Sequence, residues 1–361
     1  MKILVASILI SLLFFTALFE FYSIANFLPI IHFFPSSLNV IQSPSIFFIH
    51  IGDDSEFFPD YIYIAVRQAA VWNPLATIHV VIPRMHEYRS SVLDLVRDCG
   101  CLLQLWFIED IPLTDIHVRF ERETRLETGG FRSGFWRFTT ERLFVLLDAM
   151  VMLGVNESIH LENDNLLYVQ IDSILPTLRR EYPGLAVEPH GANLCTAGFL
   201  YVKQISVLEA LMKYMIDSPN EMQSLAKFQA QEDKSYIGLL PVIAPQDCVG
   251  THERYFANFN SFGGLFDAAP HGQYIGGVDP RNNAGGPGHV NTETGTPYRV
   301  DDFLYEWHID SSTKLGRFYI KRKFAISKSV GCNSLPGVPV EWHPLFHLHV
   351  HSKELKKYSS F

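Results

Sequence analysis

Hydrophobic and polar positions follow two different periods along the first third of the globular chain. Residues 46–51 are apolar except for His50 and are followed by Gly52-Asp53-Asp54, a pattern typical of a buried strand. Residues 61–72 have helical spacing, which Asn73-Pro74 stops, and the same order repeats with a strand at 77–82, a helix at 88–98 and a strand at 102–108. Strands separated by helices of this length predict a mostly parallel sheet with crossover helices, so the fold class is α/β.

The pattern continues with one interruption. Residues 110–131 are charged and contain glycine, and are predicted to be a loop. The further predicted elements are a helix at 135–153, a strand at 158–161, a helix at 171–181, strands at 185–188 and 198–202, and a helix at 208–216. Glycine and proline dominate residues 262–291, which predicts a long ordered loop or a lid.

The N-terminal segment indicates a route into the secretory pathway. Residues 3–19 carry no charge, and about 20 apolar residues are needed to cross a bilayer. The alternative is a cleaved signal peptide, for which Ser23-Ile24-Ala25 offers a small-x-small site. Residues 1–22 are therefore predicted to be a signal anchor or a signal peptide, 23–45 a stem and 46–355 the catalytic domain. Either route places that domain in the Golgi or ER lumen as a single-pass membrane protein, or outside the cell after cleavage.

Composition narrows the class of partner. The chain has 361 residues and a formal net charge of -9, which argues against nucleic acid, since nucleic-acid binding needs a basic face. An acidic protein that handles diphosphates needs a local cation to neutralise them. The five cysteines are compatible with one or two disulfides.

The central chemical motif is Glu162-Asn163-Asp164. It follows an apolar strand midway through the predicted sheet, where α/β folds bind their ligands. If the triplet continues the strand, Glu162 and Asp164 lie on one face. Two carboxylates are suitable ligands for Mn²⁺ or Mg²⁺ that bridges to substrate phosphates.

A second motif lies near the C-terminus. His347, His349 and His351 alternate with Leu348 and Val350, so a strand would place the three imidazoles on one side, together with Lys353 two residues further on. These histidines are candidate metal ligands. Because the sheet core lies upstream, truncation before His347 is expected to leave a folded protein.

The order of the motifs resembles that of GT-A glycosyltransferases, in particular the type that includes glycogenin and the bacterial lipopolysaccharide galactosyltransferases. The resemblance spans residues 45 to 355. It rests on Glu141-Arg142-Leu143, on the strand that ends in Glu162-Asn163-Asp164, on Thr196-Ala197-Gly198, on Gln231-Glu232-Asp233, and on the six-residue step from His347 to Lys353. Three positions depart from the family pattern: Glu162 stands where Asp is usual, Thr196 where Asn is usual, and Glu232 where Gln is usual.

The resemblance implies a Rossmann-like GT-A domain that binds a nucleotide-sugar, in the first place a UDP-sugar, through Mn²⁺ or Mg²⁺. Asp164 and a C-terminal histidine would hold the metal, and Glu162 would touch the metal or the ribose. Arg142, Asn163 and Lys353 would contact the donor, and Thr196 and Gly198 would line the sugar pocket.

Three further residues, Asp267, Gln273 and Asp279, come from the glycine-rich segment as candidate hydrogen-bonding groups of the sugar or acceptor pocket. Glu232 and Asp233 are the candidate catalytic base if the reaction inverts the anomeric centre. The sequence leaves open whether it inverts or retains.

The expected activity is transfer of a sugar from a nucleoside diphosphate to a hydroxyl group of a glycan, glycoprotein or glycolipid. Two alternatives stay open. The chain could be a non-catalytic carbohydrate-binding relative of the same fold, or a metal-dependent hydrolase, which the alternating histidines suggest. Hydrolases of barrel folds usually carry a His-x-His motif on an early strand, whereas here the motif lies near the C-terminus.

Overall fold

Strands and helices alternate along the first third of the described chain. The computed structural model describes residues 44–52, 58–124, 135–217, 220–231, 236–245, 253–279, 281, 285–291, 298–311, 313–323 and 341–361. The first elements are β1 (Ser45–Ile49), α1 (Asp60–Trp72), β2 (Ile78–Ile82), α2 (Ser90–Cys99) and β3 (Leu103–Phe107). The alternating pattern predicted from the sequence is confirmed here to within two residues at each end.

A helix, α3 (Asp115–Glu123), lies inside the region predicted to be a loop. The loop prediction is wrong because this helix buries a narrow face and exposes charge elsewhere; its buried residues are Ile116, His117 and Phe120. The Thr114 side chain caps the helix by accepting a hydrogen bond from the His117 backbone N–H.

The remaining elements include several that the sequence did not predict, among them α7, the strands β9 to β11, and the short helix α9 within the glycine-rich segment. They are α4 (Phe135–Leu153), β4 (Ser158–Leu161), β5 (Asn165–Leu167), α5 (Ile171–Glu181), β6 (Leu185–Gly191), β7 (Leu194–Val202), α6 (Ile205–Ile216), α7 (Glu221–Gln231), β8 (Ile237–Leu239), α8 (Phe259–Phe262), α9 (Pro270–Gly276), β9 (Phe303–Ile309), β10 (Gly316–Arg322), β11 (His343–Pro344) and β12 (His347–His349).

The main sheet has seven strands in the order β3-β2-β1-β4-β7-β6-β8. Only β7 runs antiparallel to its neighbours among the described strands of this sheet. The order places β4 in the middle, so the residues that follow it lie at the centre of one sheet edge. Among the described strands, β3 and β8 are the edge strands of this sheet.

Two apolar cores cover the two faces of this sheet. Ile46 and Phe48 of β1 pack into one core with α1, α2 and α5, whereas Phe47 and Ile49 pack into the other with α3, α4, α6 and α7. Successive side chains of one strand thus alternate between the cores, as the period of a strand requires.

The C-terminal tail is part of the fold. β12 pairs antiparallel with β5, which brings His349 opposite Asn165 and His347 opposite Leu167. Leu348, Val350 and Leu355 are fully buried in the first core. The expectation that truncation before His347 leaves a folded protein is therefore wrong, because the cut would remove core side chains and a paired strand.

None of the described helices is long and apolar enough to cross a bilayer. Residues 1–22, predicted to be the anchor or signal peptide, lie outside the described residues. The described residues belong to a compact unit, Ser43–Phe361, that continues six residues beyond the predicted domain end at 355.

Glu157, the residue before β4, contacts both α5 and β7 and makes the stability of the fold depend on pH. It accepts hydrogen bonds from Arg179 Nε at 2.9 Å and from the Tyr201 hydroxyl at 2.6 Å. Partial burial raises the pKa of Glu157, but the bonds from Arg179 and Tyr201 outweigh burial, so the pKa lies below its usual value of 4.5.

We expect Glu157→Gln to lower the free energy of unfolding by about 1.5 kcal/mol at neutral pH. A carboxyl whose pKa is depressed in the folded state stabilises it above the unfolded pKa, and this contribution disappears as the pH falls through the folded pKa. Urea unfolding should thus show a gap between wild type and variant at pH 7 that closes below about pH 4. Glu209→Gln, at an exposed ion pair with Lys213, is the control and should change stability by less than about 0.5 kcal/mol. A gap that persists at low pH would contradict the assignment.

Candidate metal and donor site

The acidic triplet lies in a turn at the end of β4. The Asn165 backbone N–H donates to the Glu162 carbonyl at 3.0 Å, which closes the turn, and the Glu162 N–H donates to the Gly198 carbonyl on β7 at 3.0 Å. The sequence predicted convergence of Glu162 and Asp164 through strand alternation. They do converge, but the turn brings them together, because β4 ends at Leu161.

His349 links the two carboxylates. Its Nε2 lies 2.9 Å from Glu162 Oε2 and 3.2 Å from Asp164 Oδ1. Burial lowers the pKa of His349, but the negative charges of Asp164 and Glu162 outweigh burial and raise the pKa well above its usual value. One imidazole nitrogen and two carboxylates therefore meet at a single point at the centre of the sheet edge.

Lys353 contacts the other side of Asp164. Its Nζ forms an ion pair with Asp164 Oδ2 and lies 5.3 Å from the centre of the Tyr61 ring. Burial raises the pKa of the Asp164 carboxyl, but Lys353 and His349 outweigh burial and hold it well below its usual range. Asp164 is therefore charged at neutral pH.

Arg142 of α4 lies behind Glu162. Its Nη2 donates to Glu162 Oε1 and lies 3.4 Å from Glu221 Oε2 at the start of α7. The Arg142 side chain is 11% exposed, so both contacts are shielded from water. Burial, only partly offset by the Arg142 charge, raises the pKa of Glu221 to about 7.

His347 lies in a buried polar network. Its Nδ1 is 3.1 Å from Asn165 Oδ1, and its Nε2 is 2.7 Å from Glu188 Oε1 and 3.2 Å from the Asp267 backbone nitrogen. Burial lowers the pKa of His347 to about 3. Both ring nitrogens of His347 thus have hydrogen-bond partners within the protein. His349 and His351 differ, because each has one buried ring nitrogen without a partner among the described residues.

His351 is held by Gln273 of α9. Gln273 Oε1 accepts a hydrogen bond from the Asn291 backbone N–H at 2.9 Å, and Gln273 Nε2 lies 3.2 Å from His351 Nδ1. The buried His351 Nε2 has no hydrogen-bond partner among the described residues. Asp164, His349 and His351 each offer one ligand atom, and these atoms lie within 4.8 Å of one another.

Gly198 lies at the centre of these groups. A Cβ at this position would be 3.2 Å from Glu188 Oε2 and 3.3 Å from both Asn165 Nδ2 and His349 Nδ1. The neighbouring Thr196 accepts a hydrogen bond from the Gly198 N–H at 3.3 Å. A Cβ here would therefore require these polar side chains to shift by a few tenths of an ångström.

Three other predicted residues have defined contacts. Asn163 Nδ2 donates to the Ile49 carbonyl at 2.9 Å. Asp267 accepts hydrogen bonds from the backbone N–H groups of His271, Gly272 and His349. Asp279 accepts from the Arg281 N–H at 2.9 Å. Their roles toward donor, sugar or acceptor stay predictions, as do those of Glu232 and Asp233, which lie outside the described residues.

Sequence reasoning missed Glu188, Glu221, Asn165 and Tyr61. Glu188 had a visible signal, because it is an acidic residue directly after the apolar run Leu185-Ala186-Val187 of a buried strand. Glu221 had none, since its pairing with Arg142 depends on the position of a helix that the sequence did not predict.

No protein-family profile and no curated protein sequence matches the chain. Mouse xyloside xylosyltransferase 1, in its apo form, superposes at a TM-score of 0.38 and 9% identity over 61% of this chain and 92% of that chain. The apo-form glycosyltransferase GlyE of Streptococcus pneumoniae TIGR4 superposes at 0.33 and 14% identity, over 55% and 45% of the two chains. A cytidylyltransferase of Leptospira borgpetersenii gives 0.31 and 10%, over 54% and 75%. Superpositions this loose carry no argument, so the function is inferred from the chain's own residues and contacts.

We expect Arg142→Met to destabilise the fold by about 3–5 kcal/mol, because it removes the cation that contacts both buried carboxyl groups and leaves Glu162 with His349 alone among the described residues. Urea unfolding measures the loss. The matched control is Arg119→Met, whose partner Glu123 is exposed, and it should cost less than about 1 kcal/mol. Equal effects of the two substitutions would show that the Arg142 contacts do not stabilise the protein.

Proposed function

We propose that the chain is a GT-A type glycosyltransferase that uses a divalent metal and a nucleoside-diphosphate-sugar, in the first place a UDP-sugar. The acceptor would be a hydroxyl group of a glycan or glycoconjugate. The observation that carries the proposal is the convergence of Asp164, Glu162 and His349 after the central strand, with Lys353 and Arg142 on either side. Carboxylates and an imidazole make a site for a divalent cation, and two adjacent cationic side chains favour a polyanion.

The residues present fit Mn²⁺ or Mg²⁺. Glu162, Asp164 and His349 would hold the ion, since His349 Nε2 already faces an oxygen of each carboxylate. When bound, such an ion supplies positive charge that stabilises a departing diphosphate. His349 must be neutral to act as a ligand, so protons compete with the metal for this nitrogen.

Hydrogen bonds distinguish the roles of His349 and His351. Because Gln273 Oε1 accepts from the Asn291 N–H, its Nε2 is the atom that donates to His351 Nδ1. A neutral imidazole that accepts at Nδ1 carries its proton on Nε2, and burial keeps the pKa of His351 low, at about 3. We therefore assign His349 as the imidazole ligand and His351 Nε2–H as a hydrogen-bond donor to the phosphates.

Lys353 and Arg142 would complete the donor site. Lys353 adopts a left-handed backbone conformation with φ of 65°, which costs a residue with a Cβ roughly 1 kcal/mol. A lysine at such a position, with its amine on Asp164, fits a role toward the distal phosphate. Arg142 would orient Glu162 and approach the nucleotide.

The acceptor side of the proposal rests on the sequence. Glu232 and Asp233 are the candidate base of an inverting reaction, and a retaining reaction needs no such base. The uncharged run at residues 3–19 supports a membrane anchor and a lumenal catalytic domain.

Incubation of the full chain with Mn²⁺ and a panel of nucleotide-sugars should release nucleoside diphosphate from at least one donor. Asp164→Asn should abolish release, because an amide is a weak ligand for a hard cation. Asp301→Asn, at an exposed ion pair with Arg299, is the control and should leave the rate unchanged. Donor binding without release from any donor would instead indicate a non-catalytic relative, and release that survives in Asp164→Asn would refute the site.

Single substitutions should separate the two histidines. His349→Gln is expected to weaken Mn²⁺ binding more than the roughly 10–100-fold typical of outer-shell changes. His351→Gln should leave Mn²⁺ affinity within about threefold while weakening donor binding by roughly 1.5–3 kcal/mol, the contribution of a hydrogen bond to a charged group. Isothermal titration calorimetry with Mn²⁺, and then with donor, measures both. The reverse order of effects would exchange the assignments.

A further inference from the structure

A second cluster of metal-ligating side chains lies between α3 and α4. Of these two helices, only α4 also contributes to the site at Glu162 and Asp164, through Arg142. His117 and Glu121 of α3 and Glu141 of α4 each offer one ligand atom, and these atoms lie within 4.8 Å of one another. We propose that this cluster is a binding site for a transition-metal dication of the Zn²⁺ class that joins the two helices.

His117 is prepared as a ligand by its surroundings. Its side chain is 2% exposed, and its Nδ1 contacts Asp148 Oδ2, a carboxylate that is itself 1% exposed. Asp148 Oδ1 accepts a hydrogen bond from the Thr114 N–H at 2.8 Å, which fixes the carboxylate. Since a carboxylate accepts, His117 Nδ1 carries a proton, so Nε2 is the ring nitrogen that can ligate a metal.

His117 Nε2 is the observation that points to a ligand. It is buried and has no hydrogen-bond partner among the described residues, although a buried polar atom without a partner is costly. A carboxylate that holds one imidazole nitrogen is the means by which proteins orient metal-bound histidines, and Asp148 holds His117 in this way. A metal ion would satisfy this nitrogen.

The two glutamates supply the oxygen ligands. His117 and Glu121 are four residues apart on α3, so they lie on one face of the helix. Glu141 Oε2 accepts from Arg137 Nε at 2.9 Å, which fixes the carboxylate and leaves Oε1 as its ligating oxygen. One imidazole and two carboxylates match the donor atoms that Zn²⁺ takes. Glu121 is exposed, so a water molecule could reach the ion from that side and complete four-coordination.

An ion here would act on the fold and would not depend on the proposed sugar transfer. It would tie α3 to α4 at Glu141, the residue before Arg142. The expected consequence is a higher melting temperature in the presence of Zn²⁺, because an ion that binds only the folded state stabilises it.

The test uses the full chain carrying Asp164→Asn, so that the first site is impaired, after removal of metal with a chelator. Zn²⁺ titration followed by calorimetry and elemental analysis should find one ion per chain. Adding Glu121→Gln and Glu141→Gln should remove that ion and the rise in melting temperature. Asp148→Asn should weaken Zn²⁺ binding about 10–100-fold, since it removes the group that orients His117.

Glu123→Gln is the matched control, because it lies on the same helix and, among the described residues, pairs with Arg119 and Arg122. It should leave stoichiometry and affinity unchanged. The proposal is overturned if Zn²⁺ binds the Glu121→Gln/Glu141→Gln protein as tightly as it binds the control, or if binding to the control needs millimolar Zn²⁺.

Discussion

The structure of the site depends on the burial of two negative charges, Glu162 and Asp164, at the end of the central strand. A buried carboxylate is unfavourable unless a cation and hydrogen bonds compensate it. Arg142 compensates Glu162 from behind, Lys353 compensates Asp164 from the side, and His349 lies between the two. Arg142 comes from α4, whereas His349 and Lys353 lie close together near the C-terminus, so the charges can be compensated only when α4 and the C-terminal tail are both in place.

Sequence periodicity predicted the part of the fold that is determined locally. Apolar runs of strand length separated by amphipathic helices gave β1 to β3 with their helices, and the acids after an apolar strand predicted the site at the end of β4. The apolar pattern could not predict α3, because a helix that buries three side chains resembles a polar loop. The sheet formed by β9 to β11 was missed for a similar reason, since most of β9 is partly or fully exposed.

The roles of the three C-terminal histidines could not be predicted from their alternation. They share a strand face in the sequence, and only the register of β12 against β5 decides what each one meets. That register puts His347 against Glu188 and His349 against the acidic turn. Glu188 determines the surroundings of His347. Its partners Phe199 and His347 lie 11 and 159 residues away along the chain, so no local pattern reveals them.

The two candidate metal clusters show how the same residue type is prepared for different partners. His117 has Nδ1 fixed by Asp148, and its Nε2 has no hydrogen-bond partner among the described residues. His349 faces two carboxylates through Nε2, which favours its charged form until a metal competes. The surroundings of His117 favour a permanently bound metal ion, whereas those of His349 favour a metal ion that binds and leaves as conditions change. Since Glu141 and Arg142 are adjacent in α4, an ion held by the His117 cluster would restrict the helix that positions Glu162. The fold would then separate a structural metal, which fixes the geometry, from a metal that enters with the phosphate-bearing ligand.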